Sequence, residues 1–163
     1  MLMTTIPTPI GGFQACADDQ GLCRLLFPGC AGTNYPPEEV RKIPCDTHPI
    51  FKEAAGQLNE YLQKNRRTFD LPLSIQGTNF QQSVWDLLRE IPYGQTSSYG
   101  ELAEKLGSKN KARAVGGAAH VNPLPIIIPC HRLIGASGTL TGFAGGLQVK
   151  KYLLVLEGLP VES

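Results

Sequence analysis

The stretch Ile126-Ile127-Ile128-Pro129-Cys130-His131-Arg132-Leu133-Ile134-Gly135 brings a cysteine and a histidine to a bend directly after an apolar run. Three consecutive isoleucines favour a strand covered on both faces, and Pro129, which has no N–H to give a ladder, ends that strand before Cys130. The thiol is therefore expected at an element boundary, where a buried strand presents it to a pocket.

Charge around this stretch is one-sided. From Lys105 to Leu156 the chain carries seven basic residues (Lys105, Lys109, Lys111, Arg113, Arg132, Lys150, Lys151) and no Asp or Glu, whereas the first 76 residues hold seven basic and eight acidic side chains. The overall net charge of +1 hides this asymmetry. A long segment without carboxylates suits a surface that meets a polyanion, because an acid there would repel phosphate.

Within that segment two short helices are predicted. Ser97 or Ser98 caps Tyr99–Leu106, Gly107 makes the turn, and Ser108 or Asn110 caps Lys111–Ala119 before Asn122-Pro123 stops it. Two short helices joined through a glycine form the helix-turn-helix pattern, and the second one carries small residues that permit close approach to a duplex. Upstream, Thr78 or Asn79 caps a helix bearing Phe80, Val84, Trp85, Leu87, Leu88 and Ile91, with Trp85 expected in the core. Downstream, Leu147–Leu156 reads as a final helix, and Glu157 follows it.

A cysteine nucleophile acts as the thiolate and needs a base or a positive field; an inert buried thiol is the alternative. His131 is adjacent to Cys130 in sequence, so its ring is expected to point away and to act through a bridging water or a bend. His48 and His120 are rival bases. Such a base needs a third group to orient it, and Glu157 is the carboxylate at hand.

The first part of the chain reads as strands and turns, with strands at Phe13–Cys16 and Leu22–Phe27 and a hairpin at the turn clusters Thr8–Gly12 and Asp18–Gly21. Pro28–Pro44 is expected to be an irregular loop with a helical turn at Glu38–Lys42. The apolar stripe Phe51, Ala54, Ala55, Leu58, Tyr61, Leu62 predicts a helix starting near Thr47/His48 and Pro49. Asp70–Ile75 is expected as an edge strand, with a module boundary at Gln76-Gly77.

At 163 residues, 42% hydrophobic and 18% charged, the chain can bury one sizeable core or two small ones, which excludes disordered and collagen-like classes. The start lacks a basic, apolar signal, and no apolar run is of bilayer length, so a cytoplasmic protein without membrane contact is expected. Five cysteines (Cys16, Cys23, Cys30, Cys45, Cys130) are an odd set in a chain this large, which argues against a disulfide framework. Cys16, Cys23 and Cys30 recur every seven residues and Cys45 stands two residues short of adjoining His48; buried or incidental cysteines are favoured over a metal site.

The spaced motifs Arg113-Ala-Val-Gly116, Asn122-Pro123, Pro129-Cys130-His131-Arg132, Gly142-Phe-Ala-Gly-Gly146 and Leu153-Leu-Val-Leu-Glu157 resemble the O6-alkylguanine-DNA alkyltransferase family. The likeness is dense from Phe80 to Glu157 and looser before it, through Thr8-Pro-Ile-Gly11 and the amphipathic helix. It implies an α/β (α+β) protein with a ribonuclease H-like sheet-plus-helix structural module at residues 1–76. A mainly helical module at 77–163 would carry a winged-helix-like helix-turn-helix and the alkyl acceptor. The implied activity is direct-reversal repair, in which Cys130 irreversibly takes the alkyl group from O6-alkylguanine, and from O4-alkylthymine, after base flipping.

In that resemblance His131, acting through a water and oriented by Glu157, keeps the thiol ionised. Tyr99 donates to guanine N3, and the carbonyls of Cys130 and Leu133 receive the exocyclic amine. Asn122 ties the second helix to the acceptor stretch, and Arg113 fills the gap left by the flipped base. Gly100, Ser108, Ala136 and Ser137 hold phosphates, Lys150 belongs to the DNA-contacting set, and the Ala144 N–H reaches O6. The implied partner is double-stranded DNA bound from the minor groove by a monomer, with no metal or cofactor. Phe143-Ala144 and His120 depart from the commonest family pattern. A binding-only lesion sensor lacks the cysteine that this chain has, and a cysteine hydrolase would leave the acid-free basic block unexplained.

Overall fold

The computed structural model describes residues 1–29, 40–136, 138, 140 and 146–160. The chain divides into two compact units, Met1–Gln76 and Gly77–Ser163. Among the described residues no helix is long and apolar enough to cross a membrane.

The first unit is a four-stranded sheet with one helix. Strands β1 (Leu2–Thr8), β2 (Gly11–Ala17), β3 (Leu22–Leu26) and β4 (Arg41–Lys42) lie in the order β3-β2-β1-β4. The first three pair antiparallel and β4 runs parallel to β1. Asp18 makes the second turn: its carboxylate accepts the N–H groups of Gln20 at 2.8 Å and Gly21 at 3.1 Å. Gly21 is required by close approach, since a Cβ there would lie 2.4 Å from the Pro72 carbonyl oxygen.

Helix α1 (Pro49–Leu62) starts where the stripe predicted, with His48 as its cap accepting from the Ile50 N–H at 3.2 Å. It buries Phe51, Ala54, Leu58, Tyr61 and Leu62. Two expectations need correction. Asp70–Ile75 makes only a single bridge, Leu22 to Leu73, because Pro72 can accept but not donate along the ladder. Arg41–Lys42 is a strand rather than the end of a helical turn, held by hydrogen bonds to Met1 and Met3; Glu38 and Glu39 lie outside the described residues.

The second unit contains α2 (Asn79–Arg89), α3 (Tyr99–Lys105), α4 (Ala112–His120) and α5 (Leu147–Leu156). Thr78 and Gln81 form a reciprocal capping box on α2, and Ser98 caps α3 by accepting from the Glu101 N–H at 3.1 Å. Gly107 turns the chain at φ +115, and Ser108 caps a 3₁₀ turn, Lys109–Lys111, that leads into α4. The helix-turn-helix is therefore present as α3 and α4. A two-stranded parallel ribbon, β5 (Ser97–Ser98) with β6 (Leu133–Ile134), joins the start of α3 to the segment after Cys130.

Trp85 is core, 2% exposed, and its indole N–H donates to the Ala118 carbonyl at 2.9 Å. That carbonyl belongs to the last turn of α4, where no intrahelical donor remains. Trp85→Phe keeps most of the apolar contact but leaves a buried acceptor unpaired. We expect it to lower unfolding stability by about 1–3 kcal/mol, read from the urea midpoint.

Candidate functional site

Ile126–Ile128 is not a strand. Ile126–Ile128 forms a tight turn in which the Ile128 N–H donates to the Leu124 carbonyl at 2.8 Å, and Ile126 adopts a left-handed φ of +74. A β-branched residue there costs about 1–3 kcal/mol of strain and persists only where its surroundings fix it. Here the fixing has two sources. Leu124, Ile126 and Ile128 are at most 2% exposed, and Asn122 clamps both sides of the turn, accepting from the Leu124 N–H at 2.9 Å and donating to the Ile128 carbonyl at 2.8 Å. Apolar sequence thus secured burial, while the side-chain clamp, not a ladder, set the backbone.

Pro129, at φ −79 and ψ 66, then makes an inverse γ-turn closed by the Cys130 N–H on the Ile128 carbonyl at 2.7 Å. Cys130–Arg132 is one 3₁₀ turn with all three side chains buried, and the Leu133 N–H donates back to the Cys130 carbonyl. The proline reading holds in part: it does place the thiol at a boundary, between two turns.

Glu157, the residue after α5, is the hub of the site. One carboxylate oxygen accepts from Arg132 Nε at 2.9 Å and from the Gly94 N–H at 3.1 Å. The other faces His131 Nε2 at 2.7 Å and accepts from Arg132 Nη2 at 3.0 Å. An ionised carboxylate only accepts, so the His131 proton sits on Nε2 and Nδ1 is the basic nitrogen of the neutral ring. Arg132 completes its fork on the Ile91 carbonyl at 2.7 Å and lies 5.7 Å from the Tyr93 ring centre.

Arg132 was read from sequence only as one of the basic residues facing a polyanion. It is 6% exposed and its charge is spent on Glu157. The signal was present, because one carboxylate beside a buried histidine in an acid-free block needs a permanent cation to remain charged.

Lys150 also needs correction as a DNA contact. Its side chain is buried, with the residue 1% exposed, and its Nζ donates to the Leu133 carbonyl at 2.6 Å. Its place on α5, one turn in from the helix start, aims it at the acceptor segment rather than at solvent. Of the seven basic residues of the block, Lys105, Lys109, Lys111 and Arg113 remain exposed. The Leu133 carbonyl, expected to receive a guanine amine, already holds the Lys150 ammonium; its second lone pair is what a ligand could use.

Burial pushes the Cys130 thiol up to about 11, against the Asn122 amide and the Lys150 charge, which both pull it down. Burial likewise pushes His131 below its ordinary value, although Glu157 opposes this. Lys150 is lowered to about 8 by burial, with Cys130 acting in the other direction. The resting site therefore pairs a neutral thiol with a neutral imidazole. An ionised resting thiol, as the resemblance implied, is not what this environment favours.

Tyr99 opens α3 directly after β5, so the ribbon with β6 sets it next to the acceptor segment, and its ring lies against α4 at Gly116, 3.5 Å from where a Cβ would be. Gly100 is in the first turn of α3, Ser108 uses its hydroxyl to cap the 3₁₀ turn, and Ala136 is exposed. Arg113 is exposed on α4. Ser137, Phe143, Ala144 and Cys30 lie outside the described residues. In the first unit, two clefts lined in part by Lys42 and Cys45, and by Asp18, His48 and Glu53, do not combine a cysteine with a histidine.

Comparison with known proteins gives matches over both units. Residues 79–159 match the 6-O-methylguanine DNA methyltransferase DNA binding domain, and residues 1–75 match the ribonuclease-like domain of the same family. A methylated-DNA–protein-cysteine methyltransferase of Methanosarcina acetivorans is 43% identical over 97% of this chain and 99% of its own. The protein of that description from Mycobacterium tuberculosis is 44% identical over 94% of this chain and 90% of its own. The crystal structure of Mycobacterium tuberculosis OGT in complex with DNA superposes with a TM-score of 0.86 at 41% identity, covering 96% of this chain and 92% of that one.

Three outcomes follow from the geometry. Glu157→Gln leaves the Arg132 guanidinium buried without its counter-charge and should cost about 3–5 kcal/mol in chemical unfolding. With the folded thiol at about 11, alkylation of Cys130 by a small probe should rise roughly tenfold per pH unit from pH 7 and level off only near pH 11. Lys150→Met removes the charge that favours the thiolate and should slow that reaction near pH 7, the difference fading as pH rises past about 8, where Lys150 itself loses its proton. Peptide mass spectrometry of Cys130 reads both.

Proposed function

The chain belongs to the 6-O-methylguanine DNA methyltransferase family, and from that premise we propose that Cys130 is the residue that takes up the alkyl group and His131, Glu157 and Tyr99 its chemical partners. The reaction is direct-reversal repair, in which the protein reacts with alkylated DNA and an alkyl group passes to a cysteine. The observation that carries the assignment to Cys130 is the buried Cys130-His131-Arg132 turn locked on Glu157, at the end of the ribbon that also starts the helix-turn-helix.

The chemistry is a displacement at saturated carbon. The thiol proton moves to His131 Nδ1 through a bridging water as sulfur attacks the alkyl carbon; the imidazolium that forms is held by Glu157. The bond from carbon to O6 breaks with its electron pair leaving on the guanine, which takes a proton at N3 from the Tyr99 hydroxyl, and the proton that His131 received from the thiol is returned to Tyr99 through solvent. The balance is one thiol and one O6-alkylguanine giving one thioether and one guanine. The thioether has no leaving path, so each molecule acts once. Burial that keeps the thiol neutral protects it from adventitious reaction until a base closes the pocket.

The target atom is inside the duplex, so the nucleotide must be flipped at a cost of a few kcal/mol. Arg113, exposed on α4, fills the vacated position, and the helix enters the minor groove of duplex DNA as a monomer. Two glycines in the middle of α4 support this reading. A Cβ on Gly116 would meet Tyr99 at an ordinary 3.5 Å and one on Gly117 would meet nothing within 4 Å. Glycine in a helix interior costs roughly 0.5–1 kcal/mol relative to alanine. Internal packing does not ask for either, so close approach of a partner is the remaining reason.

Incubation with a duplex containing O6-methylguanine should add one methyl to Cys130 by peptide mass, and Cys130→Ser should abolish the transfer while retaining duplex binding. Absence of the modified peptide from the native protein would overturn the assignment. Arg113→Ala should slow transfer from duplex by about tenfold or more, since it loses compensation for flipping, yet leave reaction with free O6-benzylguanine near its native rate.

A further inference from the structure

His120 is the residue of α4 that the reaction above leaves unused. Helix α4 exposes Arg113, Ala114, Gly117 and His120, and Val121 just beyond it, while Val115 and Ala118 face the core. Seven residues separate Arg113 from His120. At 3.6 residues per turn they fall within about 20° of one another, about 10.5 Å apart along the axis. Gly117 lies between them on the same face with open space where its side chain would be. The face is therefore a shallow trough with a cationic side chain at one end and an imidazole at the other.

The second end has an electrostatic difficulty. A helix C-terminus presents unpaired carbonyls and the negative end of the helix dipole, which repel phosphate. His120 is the last residue of α4, and the residue after it, Val121, is half exposed at 50%. An imidazole donates through an N–H in either charge state, so it can offset that repulsion and hold a phosphate oxygen. Val121 beside it can cover the apolar face of a deoxyribose.

We propose that His120 is a second backbone anchor, contacting a phosphate about three base-pair steps from the nucleotide that Arg113 replaces, so that the duplex is gripped at both ends of the Gly117 trough. This rests on the reading that α4 enters the duplex. The separation in base-pair steps follows from the helical rise against the 3.4 Å step of one DNA strand. The anchor adds affinity without reading sequence, as repair at any sequence requires.

The test uses the full chain carrying Cys130→Ser, to prevent turnover, and an undamaged duplex titrated over a range of salt. His120→Ala should weaken duplex binding by roughly tenfold or more, the equivalent of one hydrogen bond to a charged group. His120→Arg should restore or exceed native affinity and steepen the logarithmic salt dependence by up to about 0.9, one more phosphate contact. In the Cys130-containing protein, both variants should react with free O6-benzylguanine at the native rate. Arg113→Ala is the control for the underlying reading. If Arg113→Ala weakens binding and His120→Ala does not, the anchor is overturned and the α4 reading stands. If neither weakens it, both fall. A loss of free-base reactivity in His120→Ala would assign the residue a structural role and overturn the anchor as well.

Discussion

The buried carboxylate of Glu157 is the constraint on which the rest of the C-terminal unit depends. It takes four donors, from two side chains and one backbone amide, and these come from two separated segments, the loop after α2 and the Cys130–Arg132 turn, which the carboxylate ties to the end of α5. A charge with no water must be matched by opposite charge and filled hydrogen-bond sites, and Arg132 supplies both in bidentate form. The same interaction fixes the His131 tautomer, so the network that keeps the segments together also decides which ring nitrogen can take the thiol proton. Stability and chemistry share one residue here, and neither can be changed alone.

A second consequence concerns the thiol. Cys130 is buried so fully that its ordinary form is neutral, with the Asn122 amide and the Lys150 ammonium the groups that favour ionisation. Asn122 also clamps the turn that carries Cys130, and Lys150 is anchored on the carbonyl of Leu133. The groups that tune the sulfur are thus the ones that position it. For a protein that reacts once, a thiol silent toward solvent and responsive to a bound base is an advantage, since any other alkylation or oxidation would consume the molecule.

Helix α4 shows the opposite economy. Two mid-helix glycines weaken α4 without relieving any internal crowding. The loss is tolerated because Val115 and Ala118 are buried and the Trp85 indole closes the last turn from behind. The outer face is left free to be shaped for a partner.

Periodicity and capping chemistry determined most of the helical architecture. His48, Thr78, Ser98 and Ser108 cap, each one of the two candidates that the sequence offered at its helix start, and the final helix has the bounds read from its apolar spacing. These are local effects, decided within a few residues. The cysteine, the histidine and the carboxylate were also legible, because their types and the motif order carry the chemistry. What tertiary structure alone decided were the matters set by distant partners. Three isoleucines satisfied burial equally well as a strand or as a strained turn, and a side-chain clamp from Asn122 chose the turn. Arg132 and Lys150 looked like surface charges among other surface charges, and only the folding of α5 against the acceptor segment turned them inward. Composition can say that a cation is present; whether it faces a phosphate or a buried carboxylate depends on which segments the fold packs together.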